Sequence, residues 1–224
     1  TLTSNRVNIE TSNLFSTMKK IVSKQREKDH FSKSLIEANN FRDLVIYGEQ
    51  AFMGSSSGQL INYNFKSYST QYAKNMPSRY NIRAMEIFKK LQMLIIANVK
   101  GELIFRNTTE IDESKAISGK KKIKLHNGSI KDLCVIDDST VVSIGFDSLV
   151  KTINIFSGEI QTLNNSNKTG RLWSLTKNKK QIFVSTANNE LIIFNENQNK
   201  WKYQNTKKIK LQSGIITSIK YINS

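Results

Sequence analysis

A short apolar phrase returns five times along this chain at nearly constant spacing. Each copy has an apolar residue, two variable residues and a second apolar residue. The copies are Phe41–Leu44, Ile82–Met85, Ile130–Leu133, Leu172–Leu175 and Ile216–Ile219. The second apolar residues are separated by 41, 48, 42 and 44 residues. A repeat of this length is typical of stacked or radial units, in which each unit buries its faces against its neighbours.

Each copy begins a longer unit of apolar runs separated by turns. The runs are short and rich in β-branched and aromatic residues, which predicts antiparallel strands joined by hairpins. Gly58, Gly101, Asp147-Ser148 and Asn189 fall at the equivalent turn, where a positive φ or a side-chain-capped turn costs little. The middle strands are almost wholly apolar, so each needs a sheet on both sides. Four-stranded sheets arranged around an axis describe a β-propeller.

The third unit carries the residues of a known family. His126 is followed by Gly128, Ser143 lies in the second strand, Asp147 at the next turn and Ile153 in the third strand. This pattern resembles a WD40 repeat, with Ile153 in place of the family's Trp. The resemblance implies that His126, Ser143 and Asp147 form a structural hydrogen-bond network that stiffens this unit. The other units lack the His.

The fold expected is therefore an all-β, WD40-like propeller over residues 41–224, with four complete blades and the first strand of a fifth. Since WD40 propellers usually close with seven blades, we expect the ring to be completed by a longer polypeptide, or else by another chain. Residues 1–40 form a separate N-terminal extension, in which Leu14, Met18 and Ile21 recur at helical spacing. Its helix would pack on the propeller, dock in a partner's groove or lie on a membrane surface; alternatively, residues 6–10 supply a closing outer strand.

The position after the first apolar residue of the phrase gives the candidate binding site. It holds Arg42, Arg83, Lys131 and Trp173 in the first four units, and Arg171 precedes Trp173 by two residues. In a WD40 arrangement this position begins the innermost strand, near the top of the central channel. Clustered cations there would attract an acidic peptide or a phosphorylated side chain, and Trp173 would anchor it. The alternative is that the cations only extend into channel water.

The net charge of +16 leaves a second function open. Further lysines cluster on predicted outer strands, at 120–124 and 200–210, with Trp201 and Tyr203 between them. Lysines on outer strands protect sheet edges from pairing, whereas lysines with interleaved aromatics suit nucleic acid. An A/T-rich genome would also favour lysine, so the charge need not be functional.

The residue types argue against catalysis. Two histidines lie far apart, and the only cysteine is Cys134, so we expect no disulfide, no metal, no cofactor and no enzyme activity. A reduced, disulfide-free chain suits the nucleus or cytoplasm, and no stretch is apolar enough for a membrane span. The predicted function is a non-enzymatic scaffold that binds other protein subunits in a complex. The alternative is a basic propeller that contacts RNA or DNA within such a complex.

Overall fold

The structure is a computed structural model that describes residues 41–72, 81–109, 122–164, 170–178, 180–197, 200–208 and 216–221. The predicted N-terminal extension, residues 1–40, lies outside the described residues. Within the described ranges the chain folds into four antiparallel four-stranded sheets, with a single 3-10 turn at Lys89–Leu91. The all-β prediction is therefore confirmed. We call each sheet a blade and number the blades in chain order.

Each of the first two blades is a meander in which consecutive strands pair. Blade 1 comprises β1 (Phe41–Tyr47), β2 (Gln50–Ser55), β3 (Leu60–Asn64) and β4 (Ser69–Tyr72). Blade 2 comprises β5 (Ile82–Phe88), β6 (Met93–Asn98), β7 (Glu102–Asn107) and β8 (Lys122–Lys124).

The last two blades have the same topology. Blade 3 comprises β9 (Ile130–Val135), β10 (Thr140–Gly145), β11 (Val150–Asn154) and β12 (Ile160–Thr162). Blade 4 comprises β13 (Leu172–Lys177), β14 (Gln181–Thr186), β15 (Glu190–Asn197) and β16 (Lys200–Lys208). The first four copies of the phrase thus begin the first strands of the four blades.

The core lies between the blades, in three buried clusters. The central side chains are Phe52 and Leu94 between blades 1 and 2, Phe105 and Val141 between blades 2 and 3, and Val142 and Phe194 between blades 3 and 4. Val141 and Val142 are adjacent, yet they enter different clusters because successive side chains of a strand point to opposite faces. Both faces of β10 are covered, which explains why this strand carries apolar residues on both of its faces.

The turns between the second and third strands have the backbone conformation expected from the sequence. Gly58, Gly101, Ser148 and Asn189 all have positive φ, at 82°, 76°, 61° and 59°. At Gly101 the conformation is coupled to a close approach, because its carbonyl accepts the N–H groups of Leu125 and His126. The turn therefore also fixes the segment that leads from blade 2 into blade 3.

The first strands lie side by side, with β1 against β5, β5 against β9, and β9 against β13. They form the inner wall of an arc of four blades, and the ring is not closed. Residues 216–221, which contain the fifth copy of the phrase, form no regular strand but lie along β13. The backbone N–H of Tyr221 donates to Thr176 Oγ1 at 2.9 Å, and that of Ile219 donates to Ser174 Oγ at 3.4 Å. The segment occupies the place of a fifth inner strand.

No helix within the described ranges combines the length and the hydrophobicity that a membrane crossing requires.

Candidate functional site

A β-bulge stands at the same position in every inner strand. In each blade the pairing between the first two strands skips one residue near the start, and the skipped residues are Arg42, Arg83, Lys131 and Trp173. A bulged residue has no partner across the ladder, and bulges commonly redirect a side chain beside a functional site. The four residues that the sequence singled out therefore share one unusual backbone environment. We call Arg42, Arg83, Lys131 and Trp173 the channel mouth.

The channel-mouth side chains interact with one another. The Lys131 Nζ lies 4.3 Å from the centre of the Trp173 ring, a cation–π contact. Burial lowers the pKa of Lys131, and the charges of Arg83 and Arg42 lower it further, while Asp132 opposes them. Burial and the charge of Arg42 likewise lower the pKa of Arg83. Three cations thus lie close enough to repel one another, which is the condition under which an anion is attracted.

Two donors at the channel mouth lack an acceptor among the described residues. They are the Nε of Arg83 and the Nε1 of Trp173, both shielded from solvent. Buried donors are usually hydrogen-bonded, so each unpaired donor requires an explanation. An oxygen-rich ligand would supply acceptors for both. Arg42 and Arg171 are exposed, and the Arg171 carbonyl accepts the Ala187 N–H at 2.8 Å, just before β13 begins.

The residue that follows the mouth position connects neighbouring blades. Asp43 Oδ2 accepts the Met85 N–H of β5 at 2.5 Å, and its Oδ1 accepts the N–H of Leu44 at 2.8 Å. Asp132 repeats this arrangement between blades 3 and 4, where its Oδ2 accepts the Leu175 N–H of β13 at 2.9 Å. We call Asp43 and Asp132 the seam carboxyls, because each bonds one inner strand to the next.

Blade 4 continues the seam with a hydroxyl instead of a carboxyl. Ser174 Oγ donates to Asp132 Oδ2 at 3.0 Å and accepts the Ile219 N–H at 3.4 Å. Ala84 holds the equivalent position in blade 2 and has no polar side chain to offer. Sequence analysis did not select this position, although its residues in the five units are Asp, Ala, Asp, Ser and Ser. Small or acidic residues at every copy were the available signal.

Burial raises the pKa values of the seam carboxyls, to about 7 for Asp43 and about 6 for Asp132. Their backbone hydrogen bonds oppose the shift, and the two carboxylates also repel each other. Burial similarly raises the pKa of Glu86, which is further raised by Asp132 and lowered by Lys177 and Lys89. These carboxyls line an open cavity of about 890 Å³ bordered by the inner strands.

His126, Ser143 and Asp147 form one hydrogen-bonded chain. His126 Nδ1 lies 2.8 Å from Asp147 Oδ1, and His126 Nε2 lies 2.8 Å from Ser143 Oγ. An ionised carboxylate can only accept, so we assign the proton to Nδ1, and Nε2 then accepts from the Ser143 hydroxyl. Asp147 also accepts the N–H groups of Asn127 at 3.0 Å and Leu149 at 3.2 Å. Ile153, at the Trp position, is fully buried and extends the network no further.

The charges around the His126–Ser143–Asp147 network favour a neutral His126. Burial lowers the pKa of His126, against the raising effect of Asp147. Burial would raise the pKa of Asp147, but the hydrogen bond from His126 and those from the backbone lower it overall. The connectivity is that of a Ser–His–Asp triad. However, Ser143 and His126 each have 0% exposed surface, so no substrate carbonyl can reach the hydroxyl.

Two described lysines of the second basic group, Lys122 and Lys124, are engaged within the fold, whereas Lys202 is exposed. Lys122 Nζ donates to Glu102 Oε1 at 3.0 Å, and Lys124 Nζ donates to the carbonyl of Lys100. Lys120 and Lys121 lie outside the described residues, as do the side chains of Tyr203, Lys207 and Lys208.

Cys134 is half-buried, and burial raises the pKa of its thiol to about 12, which disfavours the reactive thiolate. No group of three or more His, Cys, Asp or Glu side chains in the described part of the chain could hold a metal ion.

The fold and the inner-strand geometry define an incomplete β-propeller, and comparison with known proteins is consistent with that class. The WD40 β-propeller domain of Doa1 matches with a TM-score of 0.60 and 15% sequence identity, over 80% of this chain and 56% of that one. The computationally designed protein Ika8 matches with a TM-score of 0.63 and 14% identity, over 80% of this chain and 52% of the other. The chain thus spans about half the length of these structures. No protein-family model and no curated sequence matches it.

Proposed function

We propose that this chain is a non-enzymatic, WD40-like scaffold segment whose channel mouth binds an acidic or phosphorylated segment of a partner protein. The partner would be another subunit of a multi-subunit complex in the nucleus or cytoplasm. The lone cysteine supports such a reducing location.

The observation that carries the proposal is the recurrence of the bulge. Four blades place a bulged residue at one equivalent position, and three of the four are cations while the fourth is Trp173. Packing of the blades does not require these side chains, since the apolar positions on either side of them fill the core. Concentrating positive charge at a bulge costs repulsion, which a bound anion would relieve.

The chemistry of the mouth favours carboxylate or phosphate oxygens presented on a peptide. Arg83 offers a guanidinium with an unpaired donor, and the indole N–H of Trp173 is a second donor at the same mouth. Charge-assisted hydrogen bonds of this kind are about twice as strong as neutral ones. Lys131 is already held over the Trp173 ring, so less side-chain freedom is lost when it meets an anion.

A nucleic-acid partner is the alternative, and the same experiment separates the two. Binding by titration calorimetry would be measured for three probes: a blocked hexaglutamate peptide, a phosphoserine peptide of equal length, and a single-stranded oligonucleotide. Each would be tested over a series of salt concentrations. The proposal expects the peptides to bind with modest salt dependence. Oligonucleotide binding that falls steeply with salt, without peptide binding, would instead favour nucleic acid.

Charge reversal identifies the surface involved. Arg83→Glu combined with Lys131→Glu should weaken peptide binding at least about tenfold, since two attractions become repulsions. The matched control is Lys66→Glu with Lys180→Glu, two exposed lysines in the β3–β4 and β13–β14 turns, at the ends of blades 1 and 4 opposite the bulges. This control should bind like the wild type, and both variants should keep the wild-type circular dichroism spectrum. Unchanged peptide affinity in the Arg83/Lys131 variant would refute the channel-mouth site.

A further inference from the structure

Each seam carboxyl directly follows a channel-mouth cation in the chain. Asp43 follows Arg42 in β1, and Asp132 follows Lys131 in β9. The cation is the bulged residue, and the carboxyl is the next residue, hydrogen-bonded across the blade seam. Two opposite charges therefore occupy consecutive positions at the same bulge. The ionised carboxyl attracts the neighbouring lysine, since Asp132 favours the charged form of Lys131.

The seam carboxyls also experience charged groups from every neighbouring inner strand. Glu86 of β5 repels Asp43 and is itself repelled by Asp132. Lys177 of β13 and Lys89, just after β5, partly neutralise Glu86. Cys134 of β9 interacts with the same groups but keeps its proton because of burial. The cavity thus holds three carboxyls at close quarters, and adding negative charge nearby makes full ionisation harder.

We propose that protonation of Asp43 and Asp132 regulates the channel mouth, so that an anionic partner binds with uptake of protons and more tightly as the pH falls. The inference rests on the proposed function, because it concerns the same binding site. When the carboxyls are ionised, they offset part of the positive charge of the channel mouth, as Asp132 does at Lys131. When they are protonated, the mouth presents its full positive charge to the partner.

Thermodynamic linkage gives the same result from the partner's side. A bound anion repels the seam carboxylates and therefore raises their affinity for protons, and the coupling is reciprocal. Burial has already brought the pKa values of Asp43 and Asp132 to about 7 and about 6, within the range where the coupling can be observed. Charges that interact over several Å at intermediate dielectric change an affinity by about tenfold.

The experiment measures binding of the blocked hexaglutamate peptide at pH 6 and pH 8, at one ionic strength. Glutamate side chains stay ionised throughout this range. We expect the wild-type protein to bind about tenfold more tightly at pH 6 than at pH 8. Calorimetry at pH 7 in two buffers of different ionisation enthalpy should show net proton uptake on binding. This second measurement needs no variant and so does not depend on any substitution being tolerated.

The variant that tests the assignment is Asp43→Asn with Asp132→Asn, because asparagine resembles the protonated acid in shape and charge. It should bind at pH 8 about as tightly as the wild type binds at pH 6, with little change between the two values. The control is Asp138→Asn, an exposed carboxyl at the cavity rim, which should retain the wild-type dependence. Equal wild-type affinity at both pH values would overturn this inference but not the proposed function. The same holds for a double variant whose affinity keeps the full pH dependence. Absence of peptide binding at both pH values would instead contradict the proposed function itself.

Discussion

Replacing Asp147 by alanine removes the acceptor that three donors share. The carboxylate accepts from His126 Nδ1, from the N–H of Asn127 and from the N–H of Leu149, over distances of 2.8 to 3.2 Å. Alanine offers none of these contacts. The consequence differs among the donors because their access to water differs. Asn127 is exposed and can bind water instead, whereas His126 is completely buried.

The expected loss of stability follows from the buried donor. Leaving a buried donor unsatisfied costs about 1–3 kcal/mol, and the half-buried Leu149 N–H adds a fraction of this amount. We therefore expect Asp147→Ala to lower the free energy of unfolding by about 2 kcal/mol. For a domain of this size that corresponds to a decrease in Tm of roughly 4–8 °C.

The assay is urea and thermal unfolding, followed by circular dichroism and by the fluorescence of Trp173 and Trp201. Asp138→Ala is the matched control, because Asp138 forms an exposed ion pair with Lys90 at 2.9 Å and should cost well under about 1 kcal/mol. A double-mutant cycle with His126→Leu should show that the two substitutions are not additive, since either one breaks the same bond. Equal losses for Asp147→Ala and Asp138→Ala would refute a stabilising role for the network.

Three further outcomes are expected. Tyr68→Gly should raise the free energy of unfolding by about 1 kcal/mol in urea titrations, because the 68% exposed tyrosine has φ of 53°, a conformation that glycine adopts without strain. Gly101→Ala should cost at least about 2 kcal/mol by the same measurement, since φ is +76° and a Cβ would collide with the carbonyl oxygens of His126 and Gly128. Between pH 8 and about 6.5, stability should rise by about 1 kcal/mol as the pH falls, because the raised pKa values of Asp43 and Asp132 let the folded state hold protons that the unfolded chain has lost. Urea titrations across this range should show that the free energy of unfolding depends less on pH in the Asp43→Asn, Asp132→Asn double variant. Below pH 6.5 the lowered pKa of His126 has the opposite effect and reduces the free energy of unfolding as the pH falls.

The repeat predicts the blades because every blade packs against its neighbours through the same apolar positions, which therefore recur at a regular spacing along the sequence. Apolar residues must recur wherever a sheet meets its neighbours, so the phrase identifies each inner strand and the turn residues identify the hairpins. The turn positions were predicted correctly even where the residue with positive φ is not a glycine, as at Ser148 and Asn189. The same spacing predicts the placement of residues 216–221 along β13. These residues form no regular strand, because no second strand among the described residues pairs with them through a ladder of hydrogen bonds.

The channel mouth was accessible from sequence only in part. Aligning the units places Arg42, Arg83, Lys131 and Trp173 at one position, which predicts that they converge. The bulge was not predicted, although the alignment holds a trace of it. In blades 2, 3 and 4 the two apolar residues of the phrase are three positions apart and enter the same core cluster, whereas same-face residues of a regular strand are two positions apart. The stacking of Lys131 on Trp173 likewise depends on how two neighbouring blades are oriented, which is a tertiary property.

The seam carboxyls were missed because a buried acidic residue looks like a surface residue in a sequence. Asp43 and Asp132 follow cations within a strand that is otherwise apolar, a pattern that equally describes a solvated face. Only the neighbouring inner strand reveals their role, by supplying the N–H groups of Met85 and Leu175. Burial of these carboxyls is tolerated because each accepts at least two hydrogen bonds.

The bulge explains how one strand serves both packing and recognition. The mouth residue is left out of the ladder, so the pairing of the two strands does not depend on its side chain. The next residue is held in the seam, where a change of side chain must break contacts between blades. Substitutions at the mouth position and at the seam position should therefore have different effects, the first on ligand affinity and the second on stability. Charge reversal at Arg83 and Lys131 acts on ligand affinity while leaving stability nearly unchanged, whereas substitution of Asp43 or Asp132 changes stability and its dependence on pH. If Arg83→Glu with Lys131→Glu destabilised the domain as much as loss of a seam carboxyl does, the mouth would be part of the packing, and its convergent charges would need a structural explanation.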